Sequence, residues 1–206
     1  MNLFLIRHGQ TASNRDGLGL GRDDIPLTSE GLRQAAALGV RMSGESLDRV
    51  LVSPLRRARQ TAELVVGERD IPIEIRDELT ELDVGETEGL TFAVIRERYG
   101  DFLKRWQGDD PASVRMPGGE SLDDVAQRIA PLIAELRDGP ASAVAIVSHN
   151  FVLRLALCAL LGVPPAQFHA MPLGLASLTT VVLERGSVSI RSLNERCHLE
   201  MLESSR

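Results

Sequence analysis

The sequence has few cysteines, few aromatic residues and no excess of basic side chains. Only Cys158 and Cys197 occur in 206 residues, which gives no disulfide framework and is typical of a reducing cytoplasm. Acidic residues outnumber basic ones by 29 to 23, which argues against nucleic acid or an anionic membrane as the main partner. A small anionic molecule is still compatible with this balance, because a few arginines can reverse the field inside a pocket.

The sequence also lacks a long uninterrupted apolar run. The most apolar stretch, Phe151 to Val163, is interrupted by Arg154 and is shorter than a membrane span requires. The N-terminus has no charged leader followed by an apolar segment, so we expect no signal peptide. These absences predict a cytoplasmic protein that does not contact a membrane.

Short apolar runs alternate with helical patterns along the chain, which favours one α/β domain over residues 1–206. The runs predict strands at Asn2–Ile6, Arg49–Val52, Ile73–Ile75 and Ala143–Val147, and a hairpin from Leu178–Leu183 and Ser187–Leu193 around Glu184-Arg185-Gly186. Helical spacing predicts helices at Ser29–Met42, after Ser53-Pro54, at 91–99, at 101–107, from Ser121 to about Arg137, and at Phe151–Leu161. Ser29 and Ser53 are the expected N-caps of the first two helices, and Ser121 with Asp124 predicts a capping box.

The most informative feature is Arg7-His8-Gly9, directly after the apolar run Leu3–Ile6. Ligands of open α/β sheets bind where strands end at their carboxyl side. An arginine beside an imidazole at that position suggests an anion held next to a nucleophile or base. The ordinary alternative is a strand end followed by a turn.

Three further segments carry polar residues at similar positions. Ser148-His149-Asn150 ends the fourth predicted strand, and Ser53–Ala58 joins a strand to a helix N-terminus, where Arg57 adds a cation beside a buried face. Glu78–Gly89 is rich in acids and has two glycines four residues apart. Each segment also has an ordinary alternative. His149 could cap a helix, the helix with Arg56 and Arg59 could turn these arginines into solvent, and the acidic segment could be a solvated loop.

Five motifs in order resemble the histidine phosphatase superfamily, which has the phosphoglycerate-mutase-like fold. They are Arg7–Gly9, Ser53–Ala58, Leu79–Gly89, Pro117–Ser121 and Val147–His149. The resemblance extends over nearly the whole chain and implies an α/β three-layer sandwich, with a mostly parallel central sheet flanked by helices.

The resemblance also implies a role for each motif residue. His8 would be the nucleophile, a neutral imidazole that takes the phosphoryl group on Nε2. Arg7, Arg57 and His149 would surround the phosphoryl oxygens. Glu81 would protonate the leaving oxygen and then take a proton from water.

Other matched positions are expected at the phosphate or the substrate. Asn14 and Gly21 fall where the family contacts the phosphoryl group or substrate, and Thr11 is a further candidate. Asn150 stands where the family usually has a glycine and offers a donor to the phosphoryl group, and His198 lies in a tail that shapes the pocket of similar enzymes. For His198, a capping or surface role is an equal alternative. No metal or other cofactor is expected, because arginines do the charge work that Mg²⁺ does in other phosphoryl-transfer enzymes.

Three functions are compatible with these motifs. The preferred one is a phosphomonoesterase acting on a small phosphorylated metabolite. The alternatives are a cofactor-dependent phosphoglycerate-type mutase and a non-catalytic binding module; the compact segment from Phe102 to Met116 does not resemble the mutase insertion. The C-terminal half is similar to metal-independent phosphoserine phosphatases, but Val84 stands where phosphoserine-specific members have a histidine. This difference favours another or a broader range of phosphomonoesters, and relatives make a homodimer plausible.

Overall fold

The computed structural model describes residues 1–184 and 186–200, and this part of the chain contains one six-stranded sheet. The strands are β1 (Asn2–Arg7), β2 (Arg49–Val52), β3 (Ile73–Ile75), β4 (Ala143–Ser148), β5 (Leu178–Glu184) and β6 (Ser187–Glu195). Their order is β3-β2-β4-β1-β5-β6. The first four positions pair in parallel, whereas β5 is antiparallel to both β1 and β6.

Helices cover both faces of the sheet. They are α1 (Ala12–Asp16), α2 (Ser29–Met42), α3 (Arg56–Val66), α4 (Phe92–Arg98), α5 (Gly100–Trp106), α6 (Leu122–Asp138) and α7 (Asn150–Leu161). Short 3-10 turns lie at Asp77–Leu79, Gly85–Thr87, Pro165–Ala170 and Cys197–Leu199.

Two buried clusters follow from the period-two alternation of β1. Leu3 and Leu5 pack in one cluster with apolar side chains of α6 and α7. Phe4 and Ile6 pack in the other with side chains of α2 and α3. Because successive strand residues point to opposite faces, β1 contributes to both cores, and the predicted α/β three-layer sandwich is confirmed.

Most predicted elements are confirmed, but two predicted caps are wrong. The first is Ser29, since Thr28 caps α2 by accepting a hydrogen bond from Gly31 N–H at 3.0 Å. The second is Ser53, because α3 begins at Arg56 and its N-cap Leu55 has no side-chain bond. Ser53 Oγ lies instead 2.7 Å from His149 Nε2.

The structure also bears on the predicted capping box, the hairpin turn and membrane spans. Ser121 and Asp124 form the predicted capping box at the start of α6. Of the predicted hairpin turn, Arg185 lies outside the described residues. Among the described residues, none of the helices has the length and apolarity needed to cross a bilayer.

The sheet order brings three strand ends together. β4 lies between β1 and β2, with Arg7 opposite Ser148 and Val52 opposite Val147. The residues that follow these strands therefore lie side by side at the carboxyl edge of the sheet.

The segment after His8 packs against the first turn of α2 without room for a side chain. A Cβ added at Gly31 would lie 2.1 Å from the carbonyl oxygen of Gln10. Because both atoms belong to rigid backbone, only glycine fits at this contact.

We predict that Gly31→Ala lowers the free energy of unfolding by about 1–3 kcal/mol through overpacking. Gly44→Ala is the matched control, since a Cβ there meets nothing within 4 Å. Urea unfolding followed by circular dichroism measures both variants. Equal stability of the two variants would contradict the close contact.

Candidate active site

His8 is buried at the carboxyl end of β1, and its side chain is 3 % exposed. Its Nδ1 lies 2.7 Å from the carbonyl oxygen of Gly9. Since a carbonyl only accepts, Nδ1 carries the proton and Nε2 keeps its lone pair. Burial, followed by the charges of Arg57 and Arg7, holds the pKa of His8 well below its ordinary value. His8 is therefore a neutral imidazole with a free nucleophilic nitrogen.

His149 lies beside His8, with 5.1 Å between the ring centroids. Arg57 Nε–H donates to His149 Nδ1 at 3.2 Å, so His149 Nε2 carries the proton and donates to Ser53 Oγ at 2.7 Å. Burial and the charge of Arg57 also lower the pKa of His149 well below its ordinary value. The Nε2–H group of neutral His149 can therefore donate to a phosphoryl oxygen only if its hydrogen bond to Ser53 breaks.

Arg57 is fully buried without a carboxylate at hydrogen-bond distance among the described residues. Its Nη1 donates to Asp23 O and its Nη2 to Gly21 O, both at 2.6 Å. Burial lowers the pKa of Arg57 from its ordinary value, and guanidinium still keeps its charge near neutrality. The carbonyl contacts fix its position and leave its positive charge available to an anion.

Arg7 adds a second buried cation next to His8. Its Nη1 donates to Leu173 O at 2.5 Å, while its Nε is buried without a partner. Burial lowers the pKa of Arg7 to about 10, so the guanidinium remains charged at physiological pH.

The Glu81 side chain packs against the N-terminus of α7, which is a distant part of the chain, and Glu81 is 3 % exposed. Its Oε1 accepts hydrogen bonds from the backbone N–H groups of Leu82 at 2.9 Å and Phe151 at 3.2 Å. Burial raises the pKa of Glu81 above 4.5, against the opposing effects of these N–H groups and of Arg57 and Arg7. Because burial favours the protonated form while the N–H groups and the arginines favour the carboxylate, this carboxyl group can hold or release a proton.

Two side chains missed by the sequence reading hold the segment that carries Glu81. Arg128 Nη1 donates to the carbonyl oxygens of Glu78 and Thr80 at 2.6 and 2.8 Å. Ser148 Oγ donates to Leu79 O at 2.7 Å. Neither residue lies next to Glu81 in the sequence, so no local pattern indicates these contacts.

Three of the secondary candidates use their polar groups to shape the site. Thr11 Oγ and Asn14 Oδ1 bond to each other at 2.9 Å in the capping box of α1. Gly21 N–H donates to Glu88 Oε1 at 2.6 Å, and its carbonyl accepts from Arg57. Any contact of Asn14 with a phosphoryl group would therefore come from its Nδ2.

Asn150 and His198 lie in different surroundings. Asn150 is the first residue of α7, and its Oδ1 is buried without a partner among the described residues. His198 Nε2 donates to Ala176 O at 2.9 Å, and the ring lines an apolar groove with Ala37 and Val40 of α2. His198 is therefore a buried side chain tied to the loop before β5, and its role at the substrate pocket stays a prediction.

One group of possible metal ligands occurs in the described part of the chain. Glu195, Cys197 and His198 place ligand atoms within 4.8 Å of one another. Glu195 is bound by Arg41, with Nε and Oε1 2.5 Å apart. The phosphate-site residues His8, Arg7, Arg57, Glu81 and His149 are not members of this group.

A cation and an aromatic cluster next to the site were not predicted. Trp106, Phe151 and Phe168 have ring centroids 5.8 to 6.2 Å apart, and the Arg154 guanidinium carbon lies 5.8 Å from the Phe168 centroid. In the sequence, Arg154 served only as an argument against a membrane span. Arg154 lies four residues after the predicted site residue Asn150 on a predicted helix. Residues at this spacing share one helix face, so the sequence could have placed Arg154 near the site.

Comparisons with known proteins agree with this geometry. The profile of the histidine phosphatase superfamily (branch 1) matches residues 3–196. Phosphoserine phosphatase 1 of Hydrogenobacter thermophilus is 32 % identical over 200 residues, covering 97 % of this chain and 94 % of that protein. Adenosylcobalamin/alpha-ribazole phosphatase of Escherichia coli is 33 % identical over 201 residues, covering 95 % and 97 %.

Solved structures show the same fold. The alpha-ribazole phosphatase of Shigella flexneri superposes with a TM-score of 0.87 at 32 % identity, covering 95 % of this chain and 97 % of that one. The phosphoserine phosphatase of Entamoeba histolytica in complex with 3-phosphoglyceric acid gives 0.79 at 29 % identity, covering 96 % and 98 %. The chain belongs to the histidine phosphatase superfamily.

Proposed function

We propose that this phosphatase hydrolyses small phosphomonoesters in two steps through a phosphohistidine on His8. In the first step the lone pair of His8 Nε2 forms a bond to phosphorus. The bond from phosphorus to the leaving oxygen breaks, and Glu81 gives that oxygen its proton. In the second step water attacks phosphorus, Glu81 takes a proton from the water, the P–N bond breaks and inorganic phosphate leaves.

The observation that carries this proposal is the fixed tautomer of a buried, neutral His8 between two cations. The Gly9 carbonyl holds the proton on Nδ1 at 2.7 Å, which keeps Nε2 nucleophilic without a separate base. Arg7 and Arg57 supply positive charge in a site with little water, where charge that develops on phosphoryl oxygens is strongly stabilised.

The position of Glu81 supports its proposed acid and base roles. The pKa that burial raises lets the carboxyl group keep a proton for the leaving oxygen. The N–H groups of Leu82 and Phe151 stabilise the carboxylate once the proton is given away. Both protonation states therefore have partners in the same place.

The substrate range follows from the pocket rather than from any one relative. Val84 is buried, and its Cγ2 lies against Gly21, so no imidazole is present there to meet the carboxylate of phosphoserine. We propose a small phosphorylated metabolite other than, or in addition to, phosphoserine. A mutase reaction is the second candidate from the sequence, and none of the described contacts favours it.

Three broader proposals accompany this function. We propose a single domain, supported by one sheet and by a family match over residues 3–196. We propose a cytoplasmic location, supported by two free cysteines. A homodimer stays a prediction.

We predict that His8→Ala reduces turnover of 4-nitrophenyl phosphate by more than about 10³-fold, because the nucleophile is lost. Arg59→Ala, on the exposed side of α3, is the control and should keep full activity. Labelling with a ³²P substrate, quenched in alkaline detergent because phosphohistidine is acid-labile, should mark the control protein and not the His8 variant. Labelling or turnover that survives in His8→Ala would rule out His8 as the nucleophile.

We predict that Glu81→Gln slows hydrolysis of an alkyl phosphate by about 10²–10⁴-fold, because the leaving alkoxide receives no proton. With 4-nitrophenyl phosphate, a good leaving group, the first step survives and phosphohistidine accumulates. Stopped-flow bursts of nitrophenol and ³²P labelling measure this split, with exposed Glu68→Gln as the control. A nitrophenol burst that is slowed as much as alkyl phosphate hydrolysis would contradict the acid role.

We predict that kcat/KM for 4-nitrophenyl phosphate does not fall when the pH is lowered through 6.5, the ordinary pKa of histidine. The neutral imidazole is the reactive form, and burial with Arg57 and Arg7 lowers its pKa in the free enzyme, so the acid limb due to His8 must lie below 6.5. A pH profile of kcat/KM, which reports groups of the free enzyme, tests this sign in buffers of constant ionic strength. An acid limb centred at or above 6.5 would show that the cations do not act on His8.

A further inference from the structure

Arg154 is a cation beside the active site that forms no ion pair with a carboxylate of the described residues and interacts with the charge of Glu81 only at longer range. Four arginines of the described chain have a buried Nε without a hydrogen-bond partner: Arg7, Arg49, Arg128 and Arg154. The first three use their terminal nitrogens on carbonyl or carboxylate oxygens of the protein. Within the described residues Arg154 makes no such bond and no ion pair, and its one recorded side-chain contact is the Phe168 ring.

The position of Arg154 on α7 directs it toward the leaving group. Phe151 and Val152 donate their backbone N–H groups to Glu81, so the carboxyl group that meets the leaving oxygen sits on the first turn of α7. Arg154 lies one turn further on, on the side of Asn150 and Phe151, where all three residues are partly exposed. Neighbouring Leu153 and Leu155 are buried in the core.

Cations outnumber anions around the site. His8 and His149 are neutral at physiological pH, while Arg7, Arg57 and Arg154 share one carboxyl group, Glu81, which is protonated when it acts as the acid. Arg196 adds a further positive charge that acts on Arg7. A phosphomonoester dianion offsets two of these charges. Arg154 is close enough for its charge to contribute to the lowered pKa of Arg7, after burial and Glu81.

We propose that Arg154 forms a subsite for a second anionic group, a carboxylate or a second phosphate, on the leaving part of the substrate. This inference rests on the proposed function and extends it to the part of the molecule beyond the phosphoryl group. Guanidinium binds both groups through two parallel hydrogen bonds. The Phe168 face below the guanidinium restricts its position, and Trp106 and Phe151 supply an apolar wall next to it.

The subsite adds to what Val84 implies about specificity. Val84 cannot form the hydrogen bond or ion pair to a substrate carboxylate that a histidine at this position could form. Arg154 lies on a different element and supplies a cation there instead. The two residues together favour a substrate whose second anion lies toward α7, not toward the segment that contains Val84.

The test compares matched substrates in Arg154→Gln and Arg154→Lys. One pair is 3-phosphoglycerate and glycerol 1-phosphate, which differ in a carboxylate; the other is fructose 1,6-bisphosphate and fructose 6-phosphate. We expect Arg154→Gln to lower kcat/KM for the substrate with the extra anion by about 10- to 150-fold, mainly through KM. The partner substrate should change less than about threefold, and Arg154→Lys should restore part of the loss because it restores the charge.

The pair that responds identifies the anion, and a response in neither pair overturns the subsite. An equal loss on both members of a pair also overturns it, because that result assigns Arg154 to the fold or to the phosphoryl site. Arg59→Gln is the matched control for loss of a surface cation. Hydrolysis of 4-nitrophenyl phosphate by the unmodified enzyme tests the proposed function separately, since that substrate carries no second anion.

Discussion

The parallel pairing of β1 with β4 is the constraint on which the rest of the site depends. Arg7 is opposite Ser148, and His8 N–H donates to Ser148 O at 3.1 Å. This register carries the two strands to the same edge and places the next residues, His8 and His149, with ring centroids 5.1 Å apart. A register shift of one residue would turn one ring to the opposite face of the sheet. The buried apolar side chains on both faces of β1 and β4 hold the register.

The second requirement is that cations stay charged without permanent partners. A buried arginine paired with a carboxylate of the protein would be neutralised before substrate arrives. Arg57 avoids this outcome by donating to two backbone carbonyls, those of Gly21 and Asp23, and to the neutral His149. Carbonyl oxygens satisfy the guanidinium hydrogens without cancelling the charge. Burial, together with the charge that Arg57 keeps, lowers the pKa of His8 and His149, so one arrangement sets both the proposed nucleophile and the proposed anion site.

The sequence could predict the residues that lie at strand ends, because the sheet itself brings those positions together. His8, Arg57 and His149 are of this kind, and their contacts follow from strand order. Glu81 was found through the family motif, since no local pattern shows that a carboxyl group will meet the first turn of α7. Ser53 was misread as a helix cap because its hydroxyl is used by His149, which is 96 residues away. Arg154 was overlooked because its environment depends on Phe168, which reaches it only through tertiary packing.

The balance at Glu81 links substrate binding to proton transfer. In the free enzyme, burial raises the pKa of Glu81, while two N–H groups and the charges of Arg57 and Arg7 act against that rise. A phosphoryl dianion bound between these arginines offsets their charge and adds negative charge close to the carboxyl group. Both effects raise the pKa of Glu81 further, so in the proposed mechanism the acid gains its proton when a leaving oxygen is present to receive it. After the proposed first step the leaving group has departed and the phosphoryl group is attached to His8, while the N–H groups stabilise the carboxylate that Glu81 has become. The carboxylate is the form that can accept a proton from water, so the same residue serves both proposed steps without a movement of its backbone.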